Sequence, residues 1–133
     1  MKPIVAVIDS GIDSNIVNNV TVDVLKKGEE DKCGHGTACA MIIKGIAPKA
    51  DIISIPLLDE NIEATSMELE KALLFCQEID CNIINLSLSV TNLYTNNLKK
   101  ICMGLYQQGK IIVSSVTNRK YSSLPASYDT VIG

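Results

Sequence analysis

The stretch IVAVIDSGID, residues 4–13, joins an uninterrupted apolar run to a short polar turn. Residues 4–8 are all apolar, which is the pattern of a strand buried on both faces, as in a parallel sheet covered by helices. The Asp-Ser-Gly that follows is ordinary turn chemistry. In open parallel sheets ligands gather at the carboxyl ends of strands, so Asp9 stands where a functional acid is expected.

Outward from this strand, the chain alternates between strand-like and helix-like segments. We predict further strands over 20–25, 51–58, 82–88, 110–116 and 130–133, and helices over 36–44, 66–79 and 94–108. This order predicts an α/β fold with a doubly wound parallel sheet. Because the last apolar run stops at Gly133, we expect this single domain to be incomplete at its carboxyl end.

Composition narrows the class of protein. With 133 residues, 47% of them hydrophobic, the chain can build one domain with a real core. A net charge of -3, one Phe and no Trp give no reason to expect nucleic acid or an anionic membrane as a partner. The N-terminal apolar run is too short for a signal peptide, and no segment is long enough for a membrane span.

The five cysteines contain no C-x-x-C and are odd in number, which favours reduced thiols over a disulfide framework. We therefore expect a soluble cytoplasmic protein. The sequence contains no cluster of carboxylates that would indicate a calcium site, and we expect no cofactor.

Three polar residues stand at strand ends or helix starts: Asp9, His35 and Asn118. His35 is the only histidine and lies between two glycines in CGHGTACA, where the backbone can approach its neighbours closely. Asn118 follows a buried strand, and its amide can donate to a developing oxyanion. Each residue alone has a plain structural explanation, as a turn, loop or surface group. A zinc site at Cys33, His35 and Cys39 is cramped and lacks a fourth ligand, so we predict no metal.

Together, four segments resemble the subtilisin-like serine proteases, the subtilase family. They are VAVIDSGID (5–13), GHGTACA (34–40), NIINLSLS (82–89) and IIVSSVTN (111–118), in that order. The resemblance runs from about residue 4 to 133 but covers only the first half of the family's catalytic domain. Residues 1–133 are thus interpreted as the N-terminal portion of such a domain.

The resemblance implies roles for particular residues. Asp9 would orient the histidine, His35 would be the general base and then acid, and Asn118 would donate to the oxyanion. The substrate peptide would add as a strand along Leu86, Ser87, Leu88 and Ser89.

Residues 57–62 resemble the opposite wall of that groove. There Asp59 and Glu60 predict basic residues in the bound peptide.

Departures from the family's pattern are also visible. The second histidine that usually follows His-Gly-Thr is Ala38, and Thr117 and Ser89 replace common glycines. These changes concern the specificity pocket and the local backbone geometry.

The nucleophile's Gly-Thr-Ser-Met-Ala motif is absent from these residues. ATSM at 64–67 imitates it, but Thr65 and Glu68 have the spacing of a capping box, so we interpret Ser66 as part of a helix start.

The sequence therefore predicts a serine endopeptidase that acts by acyl transfer and lacks the segment with the nucleophilic serine. That serine would be lost by truncation, lie beyond a natural proteolytic break, or be supplied by a second polypeptide. The expected partner is a peptide or protein substrate. The alternative is a degenerate, non-catalytic subtilase that binds or scaffolds peptides.

Overall fold

Six parallel strands and three helices make up the part of the chain that the computed structural model describes, residues 2–58, 64–88, 96–115, 125 and 128–133. The elements are β1 (Ile4–Asp9), β2 (Val20–Thr21), α1 (His35–Ile46), β3 (Asp51–Pro56), α2 (Ser66–Glu78), β4 (Ile83–Leu86), α3 (Asn96–Gln107), β5 (Ile111–Ser114) and β6 (Val131–Ile132). Among these helices, none combines the length and apolar character needed to cross a membrane.

The strand order in the sheet is β2-β3-β1-β4-β5-β6, and every pairing is parallel. From β1 the chain first builds one side of the sheet through β2 and β3 and then the other side from β4 onward. The strand order reverses beside β1, and such a reversal opens a crevice at the carboxyl ends of the strands. The predicted doubly wound parallel sheet is confirmed, and Asp9 ends the strand at this switch point.

Both faces of β1 are buried, as its apolar run predicts. Ala6 and Ile8 point into a core shared with α2 and α3, whereas Val5 and Val7 point into a second core shared with α1. Successive side chains of a strand alternate between faces, so only an uninterrupted apolar run can fill two cores at once. Within the described residues, α1 covers one face of the sheet, and α2 and α3 cover the other.

Most elements differ by a few residues from the sequence-based boundaries, and α1 and β2 illustrate the differences. Helix α1 continues through Gly45 to Ile46 and ends at Ala47, just before Pro48. Strand β2 has only two residues, because the chain turns after Val22 and the Asp23 carboxylate then accepts hydrogen bonds from the amides of Lys27 and Gly28 (2.7 and 2.8 Å).

Helix α2 begins with the capping box that its sequence predicts. The Thr65 hydroxyl accepts from the Glu68 amide, and the Glu68 carboxylate accepts from the Thr65 amide, each at 3.1 Å. Lys27 adds an ion pair to Glu68 at 2.6 Å. Ser66 is the first helical residue of an α2 that packs on the sheet face opposite α1.

We expect Thr65→Ala to lower the free energy of unfolding by about 1 kcal/mol, because it removes the side-chain partner of an otherwise unbonded helical amide. Ser66→Ala is the matched control and should change stability by only a few tenths of a kcal/mol. Urea unfolding of the two variants measures the difference. Equal losses would show that Thr65 is not the cap.

Candidate active site

The candidate active site is built on Asp9 and His35, which the fold brings together from the end of β1 and the start of α1. The Nδ1 atom of His35 lies 2.9 Å from Oδ1 and 3.0 Å from Oδ2 of Asp9. The carboxylate is fully buried, whereas the imidazole is 42% exposed. A buried carboxylate that holds one ring nitrogen and leaves the ring open to solvent can support acid–base chemistry at that ring.

Local backbone contacts hold Asp9 rigidly. The Ser10 amide donates to Asp9 Oδ1 at 2.7 Å. The carbonyl oxygen of Asp9 accepts from the amides of Leu57 and Leu58 at 2.7 and 3.1 Å. The carboxylate therefore has few ways to move relative to the His35 ring.

Two glycines allow α1 to approach the turn after β1. A Cβ atom built on Gly36 would lie 2.1 Å from the carbonyl oxygen of Gly11. Gly11 itself has a φ of 111°, a conformation that side chains disfavour. The glycines of DSGID and GHGT thus make possible the close approach that sets the distance between Asp9 and His35.

Asp31, in the loop before α1, connects the two segments. Its carboxylate accepts from the hydroxyls of Ser10 and Thr37 and from the amides of Cys33, Gly34 and Thr37. Burial raises the pKa of Asp31, but the hydrogen bonds from Thr37, Ser10 and the backbone outweigh it, so the net pKa lies below its ordinary value of 3.8. The group is ionised at neutral pH and replaces the side-chain cap that Gly34 cannot give to α1.

A thiol also lies beside the pair. Cys39 Sγ is 4.0 Å from His35 Nδ1 and 3.3 Å from the hydroxyl of Ser87. Burial raises the pKa of the Cys39 thiol, which a Ser87 hydrogen bond only partly offsets, and the charges of Asp9 and Asp31 raise it further. Cys39 is therefore protonated at neutral pH, and it faces the nitrogen that Asp9 already occupies, so the arrangement does not suit a cysteine nucleophile.

Within the described residues, one group of metal-ligand types comes together: Asp9, His35 and Cys39, with ligand atoms within 4.8 Å. Cys33, which the sequence offered as a zinc ligand, is exposed and lies outside this group. The short contacts in the group are hydrogen-bonding distances between His35 and Asp9, and a protonated thiol is a poor ligand for zinc. The geometry fits an acid–base pair better than a metal centre.

The segment predicted to bind substrate follows β4, the strand beside β1. Leu86 and Leu88 are buried in the core, and the Ser87 hydroxyl contacts Cys39 of α1 and accepts from the side-chain NH₂ of Asn85 at 3.1 Å. The carbonyl oxygens of Leu86 and Leu88 already accept hydrogen bonds from the β5 end, at Ser115 and Ser114.

Four other residues predicted for the site, Asn118, Ser89, Asp59 and Glu60, lie outside the described residues. Of the residues that the structure does describe, Asp9, His35 and Ser87 lie around Cys39, whose Sγ contacts both His35 and Ser87, and Leu86 and Leu88 flank Ser87. Their roles stay predictions.

Sequence reasoning missed Asp31 and the contact of Cys39 with the pair. Asp31 carries no standard capping signal, because it stands three residues before Gly34, the N-cap residue of α1. Nothing in the local sequence around Cys39 indicates its contacts. His35 lies one turn before it in α1, but Ser87 comes from the end of a separate strand, β4.

Comparisons of this chain with known proteins all point to the same family. A sequence model of the subtilase family matches residues 1–133. The minor extracellular protease Epr of Bacillus subtilis (strain 168) is 30% identical in an alignment that covers 96% of this chain and 22% of that protein. A thermophilic serine proteinase of Bacillus sp. (strain AK1) is 26% identical in an alignment that covers 96% of this chain and 36% of that protein.

Thermitase of Thermoactinomyces vulgaris is 24% identical, over 96% of this chain and 52% of its own length. The crystal structure of a lanthipeptide protease superposes with a TM-score of 0.86 at 23% identity, over 97% of this chain and 46% of that one. The chain thus spans about half or less of the length of the relatives that it matches. The family match over all 133 residues, together with this common fold, shows that the chain belongs to the subtilase family.

Proposed function

We propose that this chain supplies the acid–base half of a serine endopeptidase that hydrolyses peptide bonds by acyl transfer. The nucleophilic serine would lie on polypeptide outside residues 1–133. The observation that carries the proposal is the bond between the buried Asp9 carboxylate and Nδ1 of a half-exposed His35. Membership of the subtilase family supports the same reaction class.

In the proposed reaction His35 acts through its other ring nitrogen. Asp9 accepts a hydrogen bond from Nδ1–H and stays ionised, which leaves the Nε2 lone pair to take the proton of the serine hydroxyl as that oxygen attacks the scissile carbonyl. The imidazolium that forms is stabilised by the charge of the Asp9 carboxylate, which is itself fully buried and therefore screened less by water than an exposed group would be. His35 then protonates the leaving amine, and a water molecule repeats the sequence to release the acyl group. Asn118 would donate to the oxyanion.

The outer surface of α1 supports the idea of an additional polypeptide beside His35. One face of this helix carries Ala38, Met41, Ile42, Gly45 and Ile46, at spacings of three and four residues, and all are exposed. Ile42 and Ile46 are 64% and 81% exposed. An exposed apolar stripe that continues over three successive turns of one helix is unusual. The stripe starts one turn from His35, so a polypeptide packed against it could place a serine at the imidazole.

We further propose that the substrate peptide runs along residues 86–89 and that Asp59 and Glu60 favour basic side chains in it. The position of Ser87 and Leu88 beyond the carboxyl end of β4, beside the strand that carries Asp9, supports the first point. A cytoplasmic location belongs to the same proposal, and the five free cysteines support it.

The alternative is a peptide-binding module without catalysis. Burying a carboxylate completely costs free energy that a hydrogen-bonded imidazole only partly offsets, and peptide binding alone makes no use of that pair. The retained geometry of Asp9 and His35 therefore favours an enzyme.

A fluorophosphonate probe, which reacts with activated serines, separates these functions. We expect no labelling of the isolated 133-residue chain. The protein purified from its native source, with every polypeptide that remains attached, should be labelled at one serine outside residues 1–133. His35→Ala should abolish that labelling, and Ser66→Ala, the control, should leave it unchanged.

Two results would contradict the proposal. Labelling of Ser66 or another serine within the 133 residues would place the nucleophile inside this chain. Tight peptide binding by a native assembly that never reacts with the probe would support the non-catalytic alternative.

A further inference from the structure

The two segments that carry Asp9 and His35 are joined through a second carboxylate, that of Asp31, and we propose that Asp31 is the positioning residue that holds this pair in its reactive geometry. The inference rests on the proposed function of the pair. Asp31 makes no hydrogen bond to Asp9 or His35 within the described residues; it acts through Ser10, the residue after Asp9, and through Thr37, two residues after His35.

The first connection runs through Ser10, the neighbour of Asp9. Its hydroxyl donates to Asp31 Oδ1 at 2.7 Å and accepts from the amide of Gly36, the neighbour of His35, at 2.9 Å. A hydroxyl has one proton, so the bond to Asp31 fixes its direction and turns the oxygen lone pairs toward Gly36. Ser10 thereby ties the turn after β1 to the first turn of α1.

The second connection runs through Thr37 and has the same polarity. Its hydroxyl donates to Asp31 Oδ2 and accepts from the amide of Asp13 at 2.9 Å. Ser10 and Thr37 are both buried, so neither hydroxyl is oriented by bulk water. Asp31 therefore sets the direction of two bridges that cross from the DSGID turn to α1.

An ionised carboxylate is the group that fits this position. Asp31 receives five hydrogen bonds, three at Oδ1 and two at Oδ2. Asparagine has the same shape but one acceptor oxygen, so its NH₂ group would point at donors on one side. At least one hydroxyl would then have to turn, and its bridge to the opposite segment would be lost.

The inference predicts a change at His35 itself, which a purely stabilising role of Asp31 would not produce. Nitrogen-15 NMR of the neutral imidazole in the 133-residue chain reports which ring nitrogen carries the proton. In the unmodified chain we expect the Nδ1–H tautomer, with a low-field Nδ1 proton bonded to Asp9. In Asp31→Asn we expect loss of the low-field signal and a mixture of the two tautomers, in a chain whose amide spectrum shows that it is still folded.

Asp23→Asn is the matched control. Asp23 is a carboxylate in the preceding turn that also accepts two backbone amides, those of Lys27 and Gly28, but it makes no bridge to the DSGID turn. We expect this variant to lose stability without changing the His35 signals. An unchanged tautomer in folded Asp31→Asn, or an equal change in both variants, would overturn the inference.

If Asp31→Asn does not fold, Thr37→Val and Thr37→Ser decide the question. Valine removes the hydroxyl bridge and should weaken the low-field signal, whereas serine keeps the hydroxyl and should restore it. Identical spectra for the two Thr37 variants would overturn the inference as well. These readouts do not depend on the nucleophile, so failure to find a reactive serine would count against the proposed function and not against the role of Asp31.

Discussion

Replacing Asp9 with asparagine is expected to lower the turnover of the proposed protease by about four orders of magnitude while leaving the fold in place, the scale on which triad enzymes lose activity after this change. The physical reason lies at His35 Nδ1. An asparagine NH₂ group in place of a carboxylate oxygen would face the ring nitrogen as a donor and favour the tautomer with the proton on Nε2. The imidazole then cannot accept the proton of the serine.

Asp51→Asn is the control for this prediction. Asp51 pairs in register with Ile4, so it lies at the opposite end of the same sheet from Asp9, and its side chain is exposed. We expect its turnover to stay within a few-fold of the unmodified protein. The measurement is steady-state peptide hydrolysis by the native assembly, with the structure of each variant checked by circular dichroism.

The contrary result would be informative. If Asp9→Asn retains a tenth or more of the original turnover, the carboxylate does not set the tautomer, and the acid–base assignment of the pair is wrong. A fall in turnover that accompanies unfolding would instead mean that the buried carboxylate is needed for the fold.

Apolar patterning was sufficient to predict the sheet, because the pattern reports burial directly. In β1 each residue from Val5 to Ile8 enters one of two cores, so the run contains no polar position. The capping box at Thr65 was predictable for a similar reason, since its partners lie within one helical turn. Asp9 could be placed because it follows directly on the first strand.

Contacts between distant segments were not accessible to the same reasoning. The link from Asp31 to Ser10 spans 21 residues, and Cys39 meets Ser87 across 48 residues. Each depends on how strands order within the sheet, which local pattern does not encode. The predicted end of α1 at residue 44 was wrong. A glycine such as Gly45 often stops a helix, but here the chain continues through it in helical conformation to Ile46.

Gly36→Ala is the second large effect that we expect, with a loss of about 2–4 kcal/mol in the free energy of unfolding of the 133-residue chain. The added Cβ would lie 2.1 Å from the carbonyl oxygen of Gly11, and that atom belongs to the backbone and has no rotamer to escape into. Helix α1 would have to move away from the turn after β1. The same movement would lengthen the contact between His35 and Asp9, so turnover of the assembled protease should fall as well.

Gly45→Ala is the matched control for Gly36→Ala, because it introduces the same methyl group in the same helix. Gly45 is exposed and has nothing within 4 Å of its Cβ position, so alanine should stabilise the chain by about 0.5–1 kcal/mol through helix propensity alone. Opposite signs for the two variants in urea unfolding isolate the contact between Gly36 and Gly11 from propensity. If both alanines stabilise, α1 is not held against the turn, and the distance between His35 and Asp9 must be set by the Asp31 bridges alone.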